Sequence, residues 1–164
     1  MVQNPPNKLR VMIDANILVA GIGWPRFPYE VLQHAFIGDY VLVLSERIVA
    51  EAQRSAERAL KARAIVLDEF LEIVTYEITT APTDEEISAN TNLVRDAKDV
   101  HVALAAIAAK VDYLVSSDKD LTEPNEALHR QIKVLLPGTF LREYMGWTSE
   151  VLETIRTRTW DDLR

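Results

Sequence analysis

Short apolar runs alternate along this chain with helix-length segments, and that alternation constrains its fold more than any other feature. Val41 to Leu44 is uninterrupted between Tyr40 and Ser45, as expected for a parallel strand buried on both faces. Leu9 to Ile13, Ile73 to Ile78, Val111 to Val115 and Ile132 to Leu136 read as the remaining strands. Between them, Pro28 to Ile37 reads as a helix stopped by Gly38, and Ser45 caps a long helix with Ile48, Ala52, Ser55, Ala59 and Ala62 at helical spacing. Further helices are expected over Ala64 to Leu71, Asp84 to Leu93 and Asp99 to Lys110, with a short one beginning at Pro137. This pattern predicts an α/β fold, a three-layer α/β/α sandwich around a parallel sheet. One domain over residues 1–147 is expected, followed by a tail over 148–164 that is helical through Thr157 and packs on the domain or on a partner chain.

A chain of 164 residues with 48% hydrophobic content suits one core large enough to fold alone. Cysteine is absent, which excludes disulfides and thiolate metal sites. The N-terminal MVQNPPNKLR has no apolar segment behind its charges, and Val102 to Ala109 is too short to span a bilayer, so a cytoplasmic protein is expected. A formal charge of −7 argues against gripping nucleic acid through overall basicity, but leaves room for a local basic stripe.

Carboxylates recur where the predicted strands end. Asp14 follows the first strand directly, and Asp118 lies three positions beyond the Val111 to Val115 run. Ligands of open α/β sheets bind beyond the carboxyl ends of the strands, and Asp99, opening a helix, and Glu51, one turn inside another, can lean over the same crevice. Such a set of oxygen donors suits Mg²⁺ or Mn²⁺, and a cation between them relieves their repulsion. Taken singly, each acid has an ordinary reading. Asp14-Ala15-Asn16 can be a turn in which Asn16 caps the next helix, Asp99 can be an N-cap, Glu51 an exposed helix residue, and Asp118 and Asp120 polar turn residues. Their convergence on one end of one sheet favours a site.

On a projection of about 100° per residue, Glu51 falls at the edge of its helix's apolar stripe, with Arg47, Arg54, Arg58 and Lys61 just beyond. That stripe is either a solvated face or a track for the phosphates flanking a scissile bond. In the segment Gly21 to Phe27, Trp24 either stacks a base or packs under the loop, and Arg26 is placed to hold a phosphate. The histidines His34, His101 and His129 are scattered, and His101 reads as a surface helix residue rather than a general base.

The segments VMIDANILVAG, LSERIVAEAQ, DAKDVHVALAA and KVDYLVSSDKDL, in this order, resemble the PIN-domain proteins, in particular VapC-like toxins. The resemblance spans roughly positions 8 to 142. It implies a parallel-sheet α/β/α sandwich and metal-dependent endoribonuclease activity, in which a metal-activated water cleaves an RNA phosphodiester. By that likeness Asp14, Glu51, Asp99 and Asp118 are the catalytic and metal-holding acids, with Asn16, Ser116 and Asp120 supporting them. Asp96 and Asp120 can share the load of Asp99 and Asp118. The resemblance also implies a homodimer and a small antitoxin partner, as in type II toxin–antitoxin pairs; the tail makes this chain longer than most compact VapC toxins.

Rival readings are a catalytically silent module of the same fold that binds RNA or protein, and an acidic-site phosphatase. An aspartyl phosphatase would want a second acid two positions after Asp14, where Asn16 stands. A dinucleotide-binding domain would want a glycine-rich turn after the first strand, and Asp14 to Leu18 has none.

Overall fold

A computed structural model describes residues 8–164. The N-terminal segment read above for a targeting signal lies largely outside the described residues. Five strands, β1 (Arg10–Ile13), β2 (Val41–Ser45), β3 (Tyr76–Thr79), β4 (Tyr113–Val115) and β5 (Val134–Leu135), form one parallel sheet in the order β3-β2-β1-β4-β5. The helices are α1 (Ala15–Gly23), α2 (Phe27–Ile37), α3 (Glu46–Leu60), α4 (Ala64–Ile73), α5 (Asp84–Ala89), α6 (Val100–Ala109), α7 (Lys119–Thr122), α8 (Glu126–His129), α9 (Pro137–Tyr144) and α10 (Ser149–Ile155). They cover both sides of the sheet, which is the expected α/β/α sandwich. From β1 the chain steps to β2 and β3 on one side, then crosses back to place β4 on the other. The strand order therefore reverses between β1 and β4, and the crevice beyond their carboxyl ends is where such sheets bind ligands.

Val11, Met12 and Ile13 of β1 and Leu42, Val43 and Leu44 of β2 are fully buried, which accounts for their continuous apolar character. Local chemistry sets the helix ends. Ser45 Oγ accepts from Ile48 N at 3.1 Å to start α3, and Gly38 takes the left-handed conformation (φ 91°) that stops α2.

Several boundaries differ from the sequence reading, each for a local reason. The helix from Asp84 ends at Ala89, because Asn90 turns its side-chain amide back onto Glu86 O (2.7 Å) and the following Thr91 and Asn92 favour turns. Strand β3 begins at Tyr76 rather than Ile73, since α4 runs on through Ile73. Strand β4 begins at Tyr113, because Val111 N bonds back to Ala106 O. Strand β5 is confined to Val134–Leu135, because Ile132 N bonds to Leu128 O instead of joining the sheet. The buried stripe of α3 runs through Ile48, Ala52 and Ala56, so Ala59 and Ala62 are exposed and Ser55 is half-buried.

The tail ends its α-helix at Ile155 and lies against the body of the fold. Leu152 and Ile155 are buried, Trp160 Nε1 donates to Gly23 O at 3.0 Å, and the Arg63 guanidinium sits 4.2 Å from the Trp160 ring centroid. Arg158 donates to Pro25 O and pairs with Glu30 Oε1 at 2.7 Å, both side chains being about 15% exposed. Removing one partner of a largely buried pair leaves the other charge uncompensated. We therefore expect Arg158→Ala to destabilise the fold by about 2–3 kcal/mol in urea denaturation. A change below ~0.5 kcal/mol, the size of an ordinary surface substitution, would show that this contact does not hold the tail.

Candidate functional site

Asp14 leaves β1 at the strand-order reversal and is 4% exposed. It caps α1, accepting from Ile17 N at Oδ1 (3.0 Å), so the cap is Asp14 and not Asn16, which is exposed in the first turn of α1. Its other oxygen, Oδ2, accepts a hydrogen bond from Ser116 Oγ, the fully buried hydroxyl that follows β4. Ser116 Oγ in turn accepts from Asp118 N at 3.0 Å, and Asp118 Oδ1 accepts from Asp120 N at 2.8 Å. One chain of hydrogen bonds thus ties the end of β1 to the turn after β4 and orients both acids.

Asp99 enters from the start of α6. Asp14, Asn16, Glu51, Arg54, Ser55, Arg58, Asp99 and Val102 line one cleft, and Asp118 is close enough to act on the charges of Asp14 and Asp99. The four acids singled out in the sequence therefore come together. Arg54 and Arg58 line the same cleft, whereas Arg47 is drawn to Glu51, with Nε 3.4 Å from Oε1. Trp24 and Arg26 are not in the cleft. Helix α1 extends through Gly23, carrying Trp24 about 15 Å along the axis from Asp14 at ~1.5 Å per residue. There Trp24 is exposed, and Arg26 Nε donates to Arg158 O of the tail at 3.2 Å.

A second acidic grouping shares Asp99. Asp96, Asp99 and Asp120 each place a carboxylate oxygen within 4.8 Å of the others. Two of these acids have other partners: Asp96 Oδ1 accepts from Lys98 N at 3.0 Å, and Asp120 Oδ1 accepts from Arg95 Nε at 2.6 Å.

His101 overturns the sequence reading. It is 1% exposed, not a surface residue, and its Nε2 lies 3.1 Å from Glu51 Oε1. The signal was present in the composition of α6: VHVALAAIAA has no polar face, and a helix apolar all round is buried on most sides. Burial lowers the imidazole pKa, against the opposing pull of Glu51.

Burial and neighbouring charge set the electrostatics of the cleft. Burial, with a smaller contribution from the Asp118 charge, pushes the Asp14 carboxyl up from 3.8 to about 6, against the hydrogen bonds from Ser116 and Ile17. Burial and then the charge of Asp118 push Asp99 up to about 7. Among the described residues no donor is directed at buried Asp99 Oδ2, and Asp118 beside it can only share a proton with Asp99. A buried carboxylate oxygen left alone is costly. Clustered oxygen donors with an unpartnered member fit a hard divalent cation such as Mg²⁺ or Mn²⁺.

The raised values make a pH-dependent contribution to stability in metal-free buffer. A carboxyl that holds its proton more tightly folded than unfolded contributes stability below pH ~4 that is lost as pH rises through the folded value. For Asp14 that loss is roughly 3 kcal/mol, at about 1.4 kcal/mol per pH unit. We expect the urea midpoint of metal-free wild type, relative to Asp14→Asn, to fall between pH 4 and pH 7.5; parallel pH profiles would contradict this account.

The geometry agrees with the comparisons. The fold is similar to PAE2754 from Pyrobaculum aerophilum, with 13% identity and a TM-score of 0.55 over 85% of this chain and 97% of that one. It is also similar to VapBC2 from Rickettsia felis, solved bound to a DNA fragment from its promoter, with 17% identity and a TM-score of 0.54 over 78% of this chain and 98% of that one. No curated protein matches by sequence. The family model described as PIN domain matches residues 10–120, which spans β1, β4 and all four acids of the cleft. The chain belongs to the PIN-domain family.

Proposed function

We propose that this chain is a metal-dependent endoribonuclease that hydrolyses RNA phosphodiester bonds, acting as the toxin of a type II toxin–antitoxin pair. The observation that carries the proposal is the meeting of Asp14, Asp99 and Asp118 at the strand-order reversal, with no donor among the described residues directed at buried Asp99 Oδ2. In this reading Asp14, Asp99 and Asp118 hold Mg²⁺ or Mn²⁺, and Glu51 completes the set from α3. A cation held there would supply an activated water and neutralise charge on the phosphoryl group.

The rest of the work falls to the chain itself. Ser116 fixes the Asp14 carboxylate through Oδ2 while Ile17 N fixes Oδ1, so neither oxygen is free to rotate away. Ser116 also anchors the backbone of Asp118. Arg54 and Arg58 supply positive charge along one wall of the cleft, where the phosphates flanking the scissile bond would lie. Exposed Asn16 offers amide donors at the mouth of the cleft. Two basic side chains on an otherwise acidic protein fit a local contact with a few phosphates rather than a long electrostatic track.

The toxin role, with a cytoplasmic homodimer held by a small antitoxin, rests on the sequence resemblance to VapC-like proteins. The likeness in fold to VapBC2 supports it. No helix of the described residues is long and apolar enough to cross a membrane.

Purified protein and its Asp14→Asn variant, incubated with a mixed pool of fluorescent RNAs in Mn²⁺, Mg²⁺ or EDTA, provide the test. We expect cleavage by wild type in either metal, none in EDTA, and a loss of at least 100-fold in the variant, the order seen when a group acting on transition-state charge is removed. An Asp14→Asn variant that folds and cuts at the wild-type rate would contradict the proposal. Varying RNA at saturating Mn²⁺, Arg58→Ala should leave kcat unchanged and raise KM for RNA.

A further inference from the structure

We infer that His101 is a positioning residue: its buried imidazole, carried by α6, stands against the Glu51 carboxylate of α3 and limits where that carboxylate sits at the rim of the acidic cleft. This rests on the metal-site reading proposed above. The Glu51 side chain is 30% exposed and long enough to sample several rotamers, so holding it in one of them costs conformational entropy. Two groups converge on its Oε1. Arg47, one turn earlier on the same helix, approaches to 3.4 Å, and His101 Nε2 approaches from the neighbouring helix to 3.1 Å. The Arg47 pair lies within α3 and cannot set where α3 stands relative to α6. The His101 contact does so, and because α6 also opens with Asp99, it couples the placement of two of the cleft's acids.

Packing alone does not select histidine here. Its neighbours Val100, Val102, Ala103, Ala105 and Ala106 are all buried aliphatics, and neither ring nitrogen has an aligned hydrogen-bond partner among the described residues. A buried polar ring in that condition is a burden to folding that a leucine would avoid. The charged groups that face it are Glu51, within 3.1 Å of Nε2, and Arg47 beyond. Contacts in the described residues engage only Oε1 of that carboxylate, which leaves Oε2 for a cation.

Mn²⁺ affinity measured by electron paramagnetic resonance, alongside urea denaturation, separates positioning from packing. We expect His101→Leu to be at least as stable as wild type and to bind Mn²⁺ about 10–100-fold more weakly, the usual effect of removing a group that orients a metal ligand. His101→Gln, whose amide nitrogen reaches the Nε2 position, should restore most of the affinity. In a Glu51→Ala background, His101→Leu should have no further effect, because it acts through Glu51. Wild-type affinity in His101→Leu, or an equal loss in the Glu51→Ala background, would overturn the inference. Should His101→Leu fail to fold, His101→Gln and His101→Asn decide: affinity kept by Gln and lost by Asn supports the inference, and equal affinities overturn it. Wild type that binds no Mn²⁺ would remove the metal site and this inference together. Mn²⁺ binding with these variant effects, but no RNA cleavage, would remove only the nuclease reading.

Discussion

The hydrogen bond from Ser116 to Asp14 joins the ends of β1 and β4 at the point where the strand order of the sheet reverses. The placement of Asp14 and Asp118 depends on it. Without it, Asp14 would be a buried carboxylate with a single backbone donor, and the turn that carries Asp118 would lose the hydroxyl that anchors its amide. The β1–β4 pairing, with Met12 opposite Leu114 and Ile13 opposite Val115, sets the register that brings a serine just past one strand against an aspartate just past the other. A shift of one residue would turn those side chains to opposite faces. The site is therefore a consequence of sheet register before it is a consequence of any loop.

Much of this was legible in the residues because it rests on short-range rules. Parallel strands buried on both faces announce themselves as apolar runs, as Val41 to Leu44 did, and Gly38 and Ser45 mark helix ends through conformations and caps that do not depend on distant partners. The gathering of Asp14, Glu51, Asp99 and Asp118 followed from placing each at the carboxyl end of a parallel sheet. What stayed hidden was decided by long-range packing. Whether Arg26 faces a substrate or Arg158 depends on where the tail lies, 132 positions away in the chain. His101 follows Asp99 by two positions and so reads as part of a polar helix start, but the apolar helix it belongs to buries it. The lengths of α5 and β5 turned on competing hydrogen bonds from Asn90 and Ile132, which weak local propensities do not rank.

The cleft sets two opposing electrostatic demands on the chain. Its acids repel one another strongly enough that burial and their mutual charge push Asp14 and Asp99 towards neutral pH, while Arg54 and Arg58 stand on the adjacent wall without pairing with them. Arg47 and Arg95, by contrast, are each committed to an acid at the margin, Glu51 and Asp120. The marginal acids are thus partly neutralised by protein cations, and among the described residues no arginine or lysine pairs with the central ones. That division separates a site poised for a cation from an acidic surface already balanced by its own arginines.

Anomalous diffraction from crystals of this protein soaked in Mn²⁺ is the most direct test, because two acidic groupings share Asp99 and, among the described residues, only the one with Asp14 and Asp118 has no paired protein cation. An anomalous peak coordinated by Asp14, Asp99 and Asp118 is expected. A peak held instead by Asp96, Asp99 and Asp120, with Asp14 bonded only to Ser116 and Ile17, would contradict it.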